Sequence, residues 1–88
     1  MEGQLRIAYR RIQRALSDFG ASIRDVVDET VYVADMREAA MVVREVRAEV
    51  YHAPFEVAST LIGVAAIGSP DAKVRGLVEI KCTAVLSP

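Results

Sequence analysis

The sequence is short of the residues that form disulfides and metal sites, because its 88 residues include one cysteine, Cys82, and one histidine, His52. A lone cysteine cannot form an internal disulfide. A histidine with no second histidine or cysteine at ligand spacing is a poor metal ligand. We therefore expect no metal and no cofactor, and we interpret His52 as a loop residue and Cys82 as a small hydrophobic residue facing the core.

The sequence also has no long apolar run and no excess of one charge. No segment approaches the roughly 20 apolar residues that span a bilayer, and the N-terminus lacks the apolar core of a signal peptide. The net charge of -1 offers no broad basic field for nucleic acid. Arg6, Arg10 and Arg14 recur at four-residue steps, which we interpret as a solvated helix face rather than an anion-binding stripe. These features predict a cytoplasmic protein with neither a membrane nor a nucleic acid as partner.

Motifs that carry catalysis are missing as well. The sequence has no glycine-rich phosphate loop and no cysteine or histidine cluster. Ser59 and Thr60 have no base at a spacing that would activate a hydroxyl, so the residues alone indicate ordinary strand hydroxyls. Residue patterns by themselves therefore support no enzyme class.

Two amphipathic helices are the clearest elements that the sequence does contain. Apolar residues from Leu5 to Phe19 recur at spacings of three and four, and Gly20 can end this helix in the left-handed conformation. Ser22-Ile-Arg-Asp25 has the form of a capping box and predicts one short helical turn. Asp35 is the predicted cap of a second helix, which continues to about Tyr51.

Three strands complete the predicted domain, which comprises residues 1–88. They are Glu29–Ala34, Ala58–Ile67 and Leu77–Leu86. Turn residues from Gly68 to Asp71 predict that the last two strands form an antiparallel hairpin. Two helices can cover one face of the sheet, but the strands are apolar on both sides. The fold class is therefore α+β, with a second sheet face that needs another chain.

The last strand separates a core face from a mixed face. With a repeat of two, Val78, Ile80 and Cys82 point to one wholly apolar side, while Glu79 and Lys81 point to the other. A buried carboxylate without a partner is costly. Either Lys81 compensates Glu79, or Glu79 faces a wet cleft, and the residues alone do not choose between them.

Six segments of the chain together resemble one known family, RidA, also called YjgF/YER057c/UK114. They are Gln4–Tyr9, Gly20–Ser22, Asp25–Met36, Val46–Glu49, Leu77–Ile80 and Ala84–Val85. The resemblance implies a chorismate-mutase-like α+β fold, with a mixed sheet, two helices on one face and ligand clefts between the subunits of a homotrimer. Family domains begin with a strand hairpin before the first helix, so the resemblance implies that this chain is N-terminally truncated. The expected causes are a late start codon, a trimmed sequence or a natural short form.

The resemblance also implies where a site would lie. Active members hydrolyse enamines and imines to 2-keto acids, and they bind the substrate carboxylate with an arginine in a Pro-Ala-Arg-Ser/Thr stretch. The corresponding stretch here, Pro54–Thr60, has Ala58 at that arginine position. Glu79 falls on the glutamate that positions water and Thr60 on a small cleft residue. An asparagine usual in the second helix is replaced near Val43 or Arg44. The implied site residues are catalytic Glu79 and substrate-binding Ala58, Ser59, Thr60 and Arg44.

Three functions are consistent with this pattern. The first is a homotrimer that binds a small metabolite between subunits and is a weak or inactive 2-iminoacid deaminase. The second is an active enzyme in which Arg44 or Arg75 supplies the missing positive charge. The third is a structural or regulatory trimer with a vestigial cleft.

Overall fold

The computed structural model describes residues 1–52, 57–68 and 76–86. Its elements in chain order are α1 (Glu2–Asp18), a 3-10 turn (Ile23–Asp25), β1 (Val26–Val33), α2 (Met36–Tyr51), β2 (Ala58–Gly63) and β3 (Val78–Ala84). The predicted α+β class is confirmed. Neither helix in these described ranges is long and apolar enough to cross a membrane.

Local hydrogen bonds end α1 where the sequence predicts. Gly20 adopts a φ of 73°, which a side chain would disfavour. Its N–H donates to the Ser17 carbonyl at 3.0 Å, and the Ala21 N–H donates to the Leu16 carbonyl at 2.8 Å. This pair of bonds is the Schellman arrangement, which satisfies carbonyls that the helix end leaves free.

The predicted capping residues also start the next elements. The Ser22 N–H donates to Asp25 Oδ2 at 2.8 Å, and Ser22 Oγ accepts from the Arg24 N–H at 3.3 Å, which completes the capping box. Asp35 Oδ1 accepts from the Glu38 N–H at 3.1 Å and so caps α2. These side chains satisfy helix-end amides that have no partner within the helix.

The strands form a mixed sheet in the order β2-β1-β3. β2 runs parallel to β1, with Glu29 opposite Ser59, and β3 runs antiparallel to β1, with Glu29 opposite Cys82. The predicted hairpin of the last two strands is therefore wrong, because β1 lies between them. α2 is a crossover long enough to return the chain parallel to β1, and β1, with buried Val26, Val31 and Val33, takes the centre.

Both helices pack on the same face of the sheet, as predicted. The buried core consists of Leu5 and Tyr9 from α1, Val31 and Val33 from β1, and Ala39, Val43 and Val46 from α2. Leu61, Val78 and Ile80 pack against it from the flanking strands. The opposite face, which we call the open face, carries Thr30, Tyr32, Ala58, Thr60, Ile62, Glu79 and Lys81 by strand alternation.

Candidate functional site

A buried carboxylate lies at the centre of the helix-covered face. The side chain of Glu29, in the middle of β1, is almost fully buried, with a relative exposure of 1%. Its Oε1 accepts hydrogen bonds from the Tyr9 hydroxyl at 2.8 Å and the Tyr51 hydroxyl at 2.6 Å. Its Oε2 accepts from Arg47 Nε at 2.7 Å and Ser59 Oγ at 2.8 Å. These five residues, the Glu29 cluster, join α1, α2, β1 and β2.

Further contacts hold the members of the cluster in place. The rings of Tyr9 and Tyr51 meet edge to face, with centroids 6.0 Å apart. The Arg47 guanidinium lies 5.5 Å from the Tyr51 ring centroid, and a second nitrogen donates to the Val57 carbonyl at 3.3 Å. Arg47 therefore contacts both the carboxylate on β1 and the backbone at the start of β2.

The cluster places two phenols, one aliphatic hydroxyl and the Arg47 guanidinium around a single carboxylate, and all four groups are hydrogen-bond donors. Burial, and then the neighbouring Glu29 carboxylate, raise the pKa of both Tyr9 and Tyr51. An ionised carboxylate only accepts hydrogen bonds, and all four of its partners here donate. Cys82 lies beside Glu29 on β3, and burial followed by the charge of Glu29 raises its pKa. The Cys82 thiol is therefore protonated at neutral pH and is a poor nucleophile.

The raised tyrosine pKa values predict that stability falls in alkali. In the unfolded chain these phenols ionise near pH 10.0, whereas in the folded chain they remain neutral above it. Their contribution is present in full below pH 10 and is lost as pH rises beyond it, by at most about 1.4 kcal/mol per pH unit for each tyrosine. Denaturant unfolding across this range, in a Cys82→Ala background, should show this slope.

The matched variants for this prediction are tyrosine-to-phenylalanine changes. The double variant Tyr9→Phe, Tyr51→Phe should lose most of the alkaline slope, although it is less stable at neutral pH. Tyr32→Phe removes a hydroxyl outside the Glu29 cluster and should keep the slope. An unchanged slope in the double variant would contradict the assignment.

Sequence reasoning missed the Glu29 cluster. It started the first strand at Glu29, whereas β1 begins at Val26, so Glu29 occupies a central position on the same face as Val31 and Val33. A signal was present in α2, where Arg47 and Tyr51 continue the four-residue spacing of the buried Val43. Polar side chains on the buried stripe of a helix require a buried partner.

Three of the site residues implied by the resemblance lie on the open face. Ala58 and Thr60 are on β2, and Glu79 is on β3, where it is exposed and lies opposite Tyr32 of β1. Because β1 separates β2 from β3, Glu79 is two strand spacings, or roughly 10 Å, from β2. In a single chain, these three residues therefore lie on the same face of the sheet, but Glu79 does not contact Ala58 or Thr60.

The other implied residues point elsewhere. Ser59 faces the helices, where its hydroxyl donates to Glu29. Arg44 is exposed on α2, next to the buried Val43. Arg75 and the Pro54–Glu56 part of the implied site stretch lie outside the described residues. Among the described residues, neither Glu79 nor Lys81 takes part in an ion pair. Glu79 is exposed, so compensation by Lys81 is the less favoured of its two alternatives.

A groove lies on the helix side of the sheet, and two of the charged side chains that line it are paired with each other. It has a volume of about 270 Å³ and lies between α1 and α2, beside Arg6, Arg10 and Glu49. Arg6 and Glu49 form an ion pair across it, which raises the pKa of Arg6 and lowers that of Glu49. No three metal-ligating side chains in the described ranges lie close enough together to hold an ion.

Solved structures with the same fold were found. RidA from the Antarctic bacterium Psychrobacter sp. superposes with a TM-score of 0.84 at 26% identity, covering 98% of this chain and 64% of the other. Rv2704 from Mycobacterium tuberculosis, a member of the YjgF/YER057c/UK114 family, has a TM-score of 0.78 at 34% identity, covering 93% and 64%. This chain thus spans less than two thirds of the length of these relatives.

The comparison with family models agrees with these structures. No curated protein matches the chain. A family model described as Endoribonuclease L-PSP matches residues 1–86, which is nearly the whole chain. With the arrangement of α1, α2 and the mixed sheet, and with the structural neighbours above, this match shows that the chain belongs to the RidA/YjgF/UK114 family.

Proposed function

We propose that the chain forms a cytoplasmic homotrimer that binds a small metabolite in clefts between subunits and hydrolyses 2-iminoacids weakly. The observation that carries this proposal is the chemistry of the open face. It holds an exposed carboxylate, Glu79, and the Thr60 hydroxyl, but Ala58 occupies the position at which an active relative is expected to carry an arginine. Alanine cannot make the bidentate, charge-assisted contact that a guanidinium makes with a carboxylate.

The separation of these residues supports a site made by more than one chain. Within one chain, Glu79 lies roughly 10 Å from the strand that carries Ala58 and Thr60, with β1 between them. A second copy placed against the open face would supply its own Glu79 or its own Thr60 to complete a cleft. Most small-molecule sites are concave, whereas this face is open in the single chain.

Apolar side chains support the trimer itself. Ile62 on the open face is 39% exposed, and Val85 and Leu86, which follow β3, are 59% and 52% exposed. We expect light scattering at micromolar concentration to give three chains per particle. A stable, monodisperse monomer would contradict the trimer, because the open face would then be solvated.

The function is tested by restoring the missing charge. Ala58→Arg should raise the hydrolysis of 2-iminopropanoate by about a hundredfold or more, because each charge-assisted hydrogen bond contributes about 1.5 to 3 kcal/mol and each 1.4 kcal/mol gained in the transition state is tenfold in rate. A coupled assay of ammonia release measures it. Ala40→Arg, which adds the same charge on the exposed side of α2, should have no effect.

The two other functions make different predictions in the same assay. If the wild-type protein is as active as an arginine-bearing relative, another cation binds the carboxylate, and loss of activity in Arg44→Met or Arg75→Met identifies it. If neither the wild-type protein nor Ala58→Arg binds or hydrolyses the substrate, the trimer is structural or regulatory. Arg44 lies on α2, on the helix side of the sheet, which argues against Arg44 as that cation within one chain.

A further inference from the structure

Lys81 on β3 is the only cation that the described strands place on the open face. Two carboxylates lie on the same side of the sheet, Glu79 two residues earlier on β3 and Asp28 on β1, opposite Ala58. The Lys81 side chain is exposed, and within the described ranges it forms no ion pair with either carboxylate. Its ammonium group is therefore available to a ligand that reaches the open face.

The strand register places two hydroxyl groups in line with Lys81. Lys81 lies opposite Thr30 of β1, and Thr30 lies opposite Thr60 of β2. These three residues, which we call the Lys81 row, therefore cross the open face with about 4.8 Å between neighbouring strands. A lysine side chain extends roughly 6 Å from its Cα on a flexible stem. The Lys81 ammonium group can thus lie above Thr30, where a single small ligand can contact it and the Thr60 hydroxyl together.

The donors of the Lys81 row suit a carboxylate. An ammonium group offers three hydrogen-bond donors and each hydroxyl offers one, whereas an ionised carboxylate only accepts. The flanking rows of the same side are less suitable, because each holds a carboxylate and no cation. They consist of Ala58, Asp28 and Thr83 on one side and of Ile62, Tyr32 and Glu79 on the other. An anion that binds this face is therefore favoured at the Lys81 row.

We propose that Lys81, with the hydroxyls of Thr30 and Thr60, binds the carboxylate of a small 2-keto or 2-imino acid. The identity of the ligand rests on the proposed function. Glu79 follows on the same face of β3, roughly 7 Å from Lys81 along the strand. Since C2 of a 2-iminoacid is bonded to its carboxylate carbon, an acid held at the Lys81 row has C2 within reach of a water on Glu79. A lysine is a point charge rather than a bidentate fork, which agrees with weak hydrolysis.

The test measures the binding of pyruvate, the 2-keto acid that hydrolysis of 2-iminopropanoate yields. In a nuclear magnetic resonance titration of the wild-type protein, pyruvate should cause saturable shifts at Thr30, Thr60 and Lys81. Lys81→Met should raise the Kd about tenfold or more, the loss expected for a hydrogen bond to a charged group. Lys81→Arg keeps the charge and should bind pyruvate nearly as well as the wild-type protein. Arg14→Met removes an exposed cation from α1 and should leave the Kd unchanged.

Methyl pyruvate, which has no carboxylate, separates recognition of charge from recognition of shape. Its Kd should be the same for Lys81→Met as for the wild-type protein. Lys81→Gln is the second variant if methionine on the open face causes aggregation. The proposal is overturned if pyruvate does not bind the wild-type protein, or if it binds equally well without the ammonium group of Lys81.

Binding and turnover are measured separately, so the two proposals can fail independently. Pyruvate binding that depends on Lys81, in a protein that does not hydrolyse 2-iminopropanoate, would contradict the proposed activity and support the Lys81 row. Hydrolysis that continues at the wild-type rate in Lys81→Met, with an unchanged Kd for pyruvate, would overturn the Lys81 row and leave the proposed activity intact.

Discussion

Replacing Glu29 with glutamine is expected to lower the free energy of unfolding by about 3 to 5 kcal/mol, the usual cost of removing one partner of a buried ion pair. For a domain of this size, that corresponds to a fall in melting temperature of roughly 15 °C or more. The amide nitrogen of glutamine would be a donor where the Glu29 carboxylate accepts from four side chains. It would also leave Arg47, whose side chain is 16% exposed, beside a neutral group.

Asp28→Asn is the matched control for this variant. It replaces a carboxylate with an amide at the preceding residue of β1, where the side chain is exposed. Thermal unfolding followed by circular dichroism should show a shift of a few degrees at most for Asp28→Asn. If Glu29→Gln melts as the wild-type protein does, the five residues of the Glu29 cluster do not act as a buried ionic network.

Replacing Glu79 with glutamine is expected to reduce hydrolysis by roughly a hundredfold to ten-thousandfold, the contribution usual for a general base. Glu79 is exposed on the open face, where it can hold a water by hydrogen bonding and accept its proton. Glutamine keeps the shape but cannot accept the proton. The Ala58→Arg background is the best one for this measurement, because its higher rate makes a large fall visible in the ammonia-release assay.

Two controls separate a catalytic role of Glu79 from a structural one. Glu45→Gln makes the same change on the exposed side of α2 and should leave the rate unchanged. Light scattering and the melting temperature of Glu79→Gln should match those of its parent. If Glu79→Gln instead dissociates the oligomer with no separate effect on ligand binding, Glu79 is an ion-pair partner in a subunit interface.

Local sequence signals were sufficient for the helices, their ends and the two faces of β3. The three- and four-residue spacing of α1, the left-handed Gly20 and the caps at Ser22 and Asp35 all appear in the structure. Each depends on residues within a few positions of one another, so the chain need not be folded for the pattern to be read. Strand parity likewise placed Glu79 and Cys82 on opposite faces, because alternation is a property of any extended chain.

Strand order and the Glu29 cluster were decided only by tertiary structure. The sequence indicated that β2 and β3 are strands but placed them side by side, because their periodicity does not reveal that β1 lies between them. Glu29 resembled a polar residue at the start of a strand, and its partners Tyr9, Arg47 and Ser59 are 20, 18 and 30 residues away. The burial of Glu29 is stabilised by contacts between four elements that are distant in sequence. No short window of sequence contains these contacts, so the burial could not be predicted from local patterns.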